Sequence, residues 1–224
     1  MESRRPPLPL TLAEAVALIR RAPRPDIANL LATAPRGDGH AVLVLPALAC
    51  SDRYTRVFRN FLIRLGYIPH GWSLGANIGP TQRLMNGAAE RLIALSDAHG
   101  PVSIIGFSLG GLFARWLALH SPDRVRQVIS VCSPIHQPAR NFWLPLQPFL
   151  GLWRGHDLAS LAEAVARPLP VPRTILYSRR DGLVNWSACL DAACPEDCIE
   201  IAGPHVLIAR DPQVMGIVAE RLAR

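Results

Sequence analysis

From residue 41 onward, short runs rich in apolar residues alternate with longer stretches whose apolar residues recur every three or four positions. The runs are too short for helices and several carry β-branched residues, so they predict a continuous buried strand over 41–45 and further strands over 67–72, 102–106, 125–131, 173–177 and 198–202. The longer stretches predict helices over about 53–65 (closed by Gly66), 81–99, 109–119 and 212–222. Strands separated by helices imply a mainly parallel sheet of about six strands with helices on both faces. Sheets of this kind bind ligands at the carboxyl ends of their strands.

Two segments depart from that rhythm. Near the N-terminus, Thr11-Leu12-Ala13-Glu14 matches a capping box, and Leu12, Ala15, Val16 and Ile19 fall on one helical face. With a shorter helix over about 26–31, this predicts an N-terminal helical extension, residues 1–36, ahead of a main domain over 37–224. The extension is expected to pack on the domain's flank or to meet a partner there. Residues 134–170 are rich in proline and in bulky apolar side chains, among them Phe142, Trp143 and Trp153. A packed crossover would use such residues, but the segment's position above the strand ends favours a small cap that supplies an apolar acyl pocket.

Composition narrows the picture further. Half of the 224 residues are apolar and 18% are charged, which suits one globular domain with a sizeable core. The net charge of +7 comes wholly from arginine, because the chain has no lysine, and the arginines are scattered rather than blocked. No nucleic-acid partner is expected from such a distribution, although weak contact with anionic surfaces fits it. No apolar run reaches the eighteen or so residues of a membrane span. Ser3-Arg4-Arg5 faintly resembles an export signal, but Glu14 and Arg20-Arg21 interrupt the apolar stretch that follows, and the expected location is cytoplasmic. Five cysteines, Cys50, Cys132, Cys189, Cys194 and Cys198, are an odd number with no zinc-ligand spacing; ordinary reduced thiols are expected. The chain contains no phosphate loop, dinucleotide fingerprint or metal set, so no cofactor and no metal are expected.

The most specific motif is Gly106-Phe107-Ser108-Leu109-Gly110-Gly111, a Gly-x-Ser-x-Gly placed between a predicted strand and a predicted helix. In that context the serine sits on a strained turn with its hydroxyl exposed at a strand end, and side chains at 106 and 110 would collide as the helix folds back. A serine hydroxyl needs a base to take its proton and a carboxylate to orient that base. Asp181, just past the strand at 173–177, and His205, just past the last strand, are the acid and base of choice. His40 precedes the first strand, and His99 and His120 end helices. His136 and His156 belong to the cap, where Asp157 would be a displaced acid. Asp191, Asp197 and Asp211 look like solvated turn or helix-end carboxylates. The oxyanion donors are expected to be the backbone N–H of Leu109 and one from the loop after the first strand, Leu48 ahead of Ala47.

These residues resemble those of α/β-hydrolase-fold serine esterases and lipases of a compact bacterial kind. The resemblance covers about residues 41–222 and includes the segment from Gly71 to Pro80, which in such proteins passes near the oxyanion loop; Asn77 is placed to hydrogen-bond that loop. Trp72 and Ala47 join Phe142, Trp143 and Trp153 as expected substrate contacts. The implied activity is hydrolysis of carboxylic esters, small-molecule or lipid, through an acyl-enzyme. Short or medium acyl chains are preferred because the cap is small. Thioester or amide hydrolysis and acyl transfer are alternatives on the same triad, and a non-catalytic lipid-binding role is a more distant one. Two positions depart from the family pattern. Pro46-Ala47 replaces a His-Gly or Pro-Gly pair, and alanine tolerates positive φ poorly. Cys132 stands where such proteins often carry glycine before Ser133-Pro134.

Overall fold

The computed structural model describes residues 6–19, 27–136 and 164–224. Its centre is a six-stranded, wholly parallel sheet formed by β1 (Ala41–Leu45), β2 (Ile68–Gly71), β3 (Val102–Phe107), β4 (Val125–Val131), β5 (Arg173–Ser178) and β6 (Cys198–Ile201). The spatial order is β2-β1-β3-β4-β5-β6. Every strand leaves at the same edge, so the segments that follow β1, β3, β4, β5 and β6 meet along one rim.

Alternation along the strands divides the core in two. Leu43, Leu45 and Ile104 face α4 (Gln82–His99) and α5 (Leu109–His120) on one side. Val42, Val44, Ile105 and Phe107 face α3 (Asp52–Leu65) and α6 (Pro212–Leu222) on the other. The central strands β1 and β3 are buried on both faces, which explains why β1 is apolar throughout and β3 nearly so. Each fully buried Leu or Ile contributes about 1.5–3 kcal/mol, so this two-sided core holds the rim in place.

Two short helices precede β1, namely α1 (Leu8–Ile19) and α2 (Ala28–Thr33). The capping box expected at Thr11–Glu14 does not cap α1, which starts three residues earlier at Leu8. Thr11 and Glu14 lie inside the helix and are buried, whereas Leu8, Leu12 and Val16 are 67%, 60% and 46% exposed. The helix therefore docks through its polar face. The reason is that it packs on the strand-end rim, where backbone donors await a partner, rather than on an apolar flank.

Asp191 also differs from expectation. It is buried, and it faces the guanidinium groups of Arg115 at 3.8 Å and Arg173 at 3.7 Å. Arg115 is itself fully buried on α5 and donates to the carbonyls of Val165 (2.6 Å) and Arg167 (2.8 Å), fastening the approach to β5 against the elbow helix. Burial pulls the Arg115 guanidinium down to about 10, against the opposing pull of Asp191.

Candidate active site

Ser108 occupies the one-residue joint between β3 and α5, with φ 51° and ψ −118°. A non-glycine residue there carries strain of order 1–3 kcal/mol, tolerated only because its surroundings leave no alternative. Those surroundings are close-packed backbone. A Cβ on Gly106 would lie 2.4 Å from the Gly110 carbonyl oxygen, and one on Gly110 would lie 2.5 Å from that of Leu45. Hydrogen at 106 therefore lets α5 fold back on β3, and hydrogen at 110 lets α5 approach the end of β1. The Ser108 N–H donates to Val131 O at 2.8 Å, tying the joint to the end of β4.

The close approach of Gly110 to Leu45 and Pro46 also brings the loop after β1 beside the start of α5, where Leu109 lies. Asn77 is buried and braces this loop from behind: its side-chain amide donates to Pro46 O at 2.8 Å, and its backbone exchanges bonds with Ala49 and Cys50. The left-handed residue of the loop is Ala49 (φ 58°), two positions beyond the Ala47 that its alanine had made suspect. Ala47 is buried and Leu48 half-buried against the core. Trp72, expected at the substrate, lies in the core instead: it is fully buried, packs edge-on to Phe113, and donates its indole N–H to Gly75 O. Phe142, Trp143 and Trp153, with His156 and Asp157, lie outside the described residues.

Along the rim from Ser108, the next positions are Cys132 after β4, Asp181 after β5 and His205 after β6. Asp181 and His205 are both buried, and Asp181 Oδ2 lies 2.6 Å from His205 Nδ1. The other carboxylate oxygen of Asp181 accepts from Leu183 N (2.8 Å) and Val184 N (2.7 Å), so its own turn fixes its orientation. With Nδ1 engaged by a carboxylate, the neutral imidazole presents Nε2 as its free base. Burial presses His205 toward the neutral form, but the Asp181 charge, the hydrogen bond to it and the Glu14 charge outweigh that, and the net shift is upward.

Ser178 fastens the two loops further by donating to Gly203 O at 2.7 Å while accepting from Arg180 N. Cys132 takes a left-handed conformation, φ 50°, at the position where glycine was expected. Its buried sulfur, an Asp181 oxygen and a His205 nitrogen lie within 4.8 Å of one another. The direct Asp181–His205 bond fills the space that a metal ion would need between them. Burial, then the Asp181 charge, pushes the Cys132 thiol well up, so it stays protonated. His40, as expected, sits at the opposite edge, bonded to Asp38 and Ser103.

One buried polar residue escaped the sequence reasoning. Glu14 is 2% exposed, and its carboxylate accepts from the backbone N–H groups of Gly182, His205 and Val206. The available signal was an acidic residue on an otherwise apolar helix, which the capping pattern explained away.

This arrangement has the α/β-hydrolase fold. The family model described as "Putative esterase" matches residues 81–179, a stretch that contains Ser108 and stops short of Asp181 and His205. Among solved structures, an α/β superfamily hydrolase from Oenococcus oeni PSU-1 superposes with a TM-score of 0.62 at 16% identity, covering 83% of this chain and 92% of that one. A structure from work on LipS and LipT, two metagenome-derived lipolytic enzymes, gives 0.59 at 14% identity over 84% and 93%. The thioesterase domain from the curacin biosynthetic pathway gives 0.55 at 10% identity over 85% and 93%. No curated protein matches in sequence. Together these similarities support a hydrolase. No helix among the described residues is long and apolar enough to cross a membrane.

Proposed function

We propose that the protein is a serine hydrolase that cleaves carboxylic esters through an acyl-enzyme intermediate. The observation that carries this reading is the buried 2.6 Å Asp181–His205 bond on the same rim as a left-handed Ser108. Ser108 Oγ attacks the ester carbonyl while His205 Nε2 takes its proton, and Asp181 holds the ring and stabilises the imidazolium. The tetrahedral oxyanion accepts hydrogen bonds from the N–H groups of Leu109 and Leu48. His205 then gives the proton to the leaving alcohol and activates the water that releases the acid. Substrates are small-molecule or lipid esters of short or medium acyl chain, met at Ala47 and at the cap aromatics Phe142, Trp143 and Trp153. Residues 1–36 form the extension and 37–224 the hydrolase domain. All five cysteines are free, which fits work in the reducing cytoplasm.

Thioesters are the second reading, favoured by the similarity to the curacin thioesterase domain, since the same groups serve a sulfur leaving group. The deciding experiment is labelling with a fluorophosphonate probe, with Ser108→Ala as control, followed by a panel of p-nitrophenyl esters and acyl-thioesters. Labelling of the wild type alone supports an activated Ser108. Equal labelling of both proteins, or of neither, defeats the proposal.

A further inference from the structure

Asp181 and His205 stand on separate loops, after β5 and β6, and the carboxylate of Glu14 on α1 is bonded to both. Its Oε1 accepts from Gly182 N at 2.9 Å and His205 N at 2.7 Å, and its Oε2 accepts from Val206 N at 3.0 Å. The last two donors open the helical turn His205–Arg210, where N–H groups have no partner within their own turn. One turn earlier on α1, Thr11 Oγ1 donates to Gly182 O at 2.8 Å, so both backbone polar groups of the residue after Asp181 are held by this helix. Gly182 is shaped for the contact: a Cβ there would lie 2.3 Å from Leu10 O and 2.8 Å from Glu14 Cγ. Glu14, Thr11 and Gly182 thus form a polar clamp across 168 to 192 residues of sequence, and none of the three touches the reacting atoms.

We propose that Glu14 is a positioning residue, which fixes the acid loop and the base loop at one spacing and makes the competence of the Asp181–His205 pair conditional on the docking of α1. The consequence for catalysis rests on the proposed hydrolase reading; the coupling of Glu14 to His205 does not. Geometry alone would be transmitted by any bridging acceptor, but Glu14 also brings a negative charge into a buried site. Among the described residues, the titratable groups facing His205 are Asp181, Cys132 and Glu14, and the Tyr54 hydroxyl bonds the backbone of Ala209 on the same turn. Cys132 and Tyr54 are pushed up by burial and stay neutral, so the two carboxylates set the field at the ring.

The test is Glu14→Gln in the full chain. Glutamine offers one acceptor oxygen and brings two donors of its own, so it cannot serve three N–H groups, and it removes the charge. Two measurements are made: ester kinetics, and titration of the histidine rings by NMR, which needs no substrate. Expected are a kcat at least about tenfold lower with KM within about twofold, as befits lost orientation. The His205 titration should move to lower pH, because one of the charges that raises it is gone. An unchanged kcat together with an unchanged His205 titration overturns the inference. A wild type that fluorophosphonate does not label sinks the hydrolase reading instead, and the NMR comparison still decides for Glu14. If Glu14→Gln does not fold, Thr11→Val serves. It should lower kcat about threefold at constant KM and speed amide exchange at Gly182 and Val184. No change in either measurement overturns the clamp.

Discussion

The two halves of the candidate site draw on different kinds of support. Ser108 stands on a joint of close-packed backbone, with Gly106 against Gly110, Gly110 against Leu45 and Pro46, and the Ser108 N–H on Val131 O. The Asp181 carboxylate is oriented by its own turn, through Leu183 N and Val184 N, but its partner His205 comes from the next strand end, and Glu14 bonds the His205 N–H across 191 residues. The elbow is a matter of packed backbone, marked in the sequence by its glycines. The Asp181–His205 pair is an assembled device held by side-chain hydrogen bonds, and it exists only after two strands and a remote helix have come together. The Asp181–His205 side is therefore more exposed to substitution of a distant side chain than the Ser108 side.

The sharpest break in that comparison is Ser108→Ala, which removes chemistry while sparing structure. Activity should fall by about 10⁴ to 10⁶, with the melting temperature nearly unchanged, because the hydroxyl makes no packing contribution of note. Thermal melts beside ester assays check both halves; activity above about a thousandth of wild type would point to another nucleophile.

Arg115→Met comes next, and it asks whether the Ser108 half also depends on a distant contact. The substitution leaves Asp191 short of a cation and the carbonyls of Val165 (buried) and Arg167 without their donor, so about 3 kcal/mol of stability should be lost. At about 2–4 °C per kcal/mol for a chain of this size, the melting temperature drops by roughly 6–12 °C. Probe labelling per folded molecule should hold. A large fall in labelling of folded protein would show that the elbow, too, is held from afar.

A smaller effect concerns pH. The folded-state His205 is raised above the ordinary imidazole value of about 6.5, so the acid limb of kcat/KM should lie above that value and vanish in His205→Ala. The linked stability has the same sign. A protonated His205 favours the fold fully below about pH 6.5, and that contribution is lost as pH rises through the folded-state value. The destabilisation caused by His205→Ala should accordingly be greater at mildly acid than at mildly alkaline pH. Equal losses at both would mean that the Asp181 and Glu14 charges do not reach the ring.

The smallest expected change is the most pointed contrast. Leu12→Ser alters an exposed residue on the same helix as Glu14 and should leave stability within about 0.5 kcal/mol and kinetics unchanged. Apolarity on α1 is thus expected to matter less than its two buried polar residues. A marked loss in Leu12→Ser would mean that the apolar face of α1 has a role in this chain after all.

Much of this molecule was legible as sequence, for reasons of range. The central strands announce themselves because parallel strands buried on both faces must be largely apolar, and the elbow announces itself because its glycines are spaced within one short motif between a strand and a helix. Asp181 and His205 could be chosen because strand ends are few and chain order is restrictive. Asn77 was recognised through the family resemblance, which runs its segment past the oxyanion loop, and the structure bonds it to Pro46. The misjudged residues share one trait. Thr11, Glu14, Trp72 and Asp191 each carry a polar or amphipathic group whose burial depends on what another part of the chain brings to it.

By itself, then, the sequence determined the alternation of strand and helix, the glycine-flanked serine between a strand and a helix, and the strand-end positions of the candidate acid and base. Those features show in periodicity, in the spacing of glycines and in chain order, which a linear pattern records. Only the tertiary structure decided that α1 docks by its polar face, that Trp72 belongs to the core, that Asp191 is buried against two arginines, and that Glu14 joins the loops of Asp181 and His205. A buried hydrogen bond requires its donor and acceptor to be brought within about 3 Å, and nothing in the separate segments records that meeting before the chain has folded.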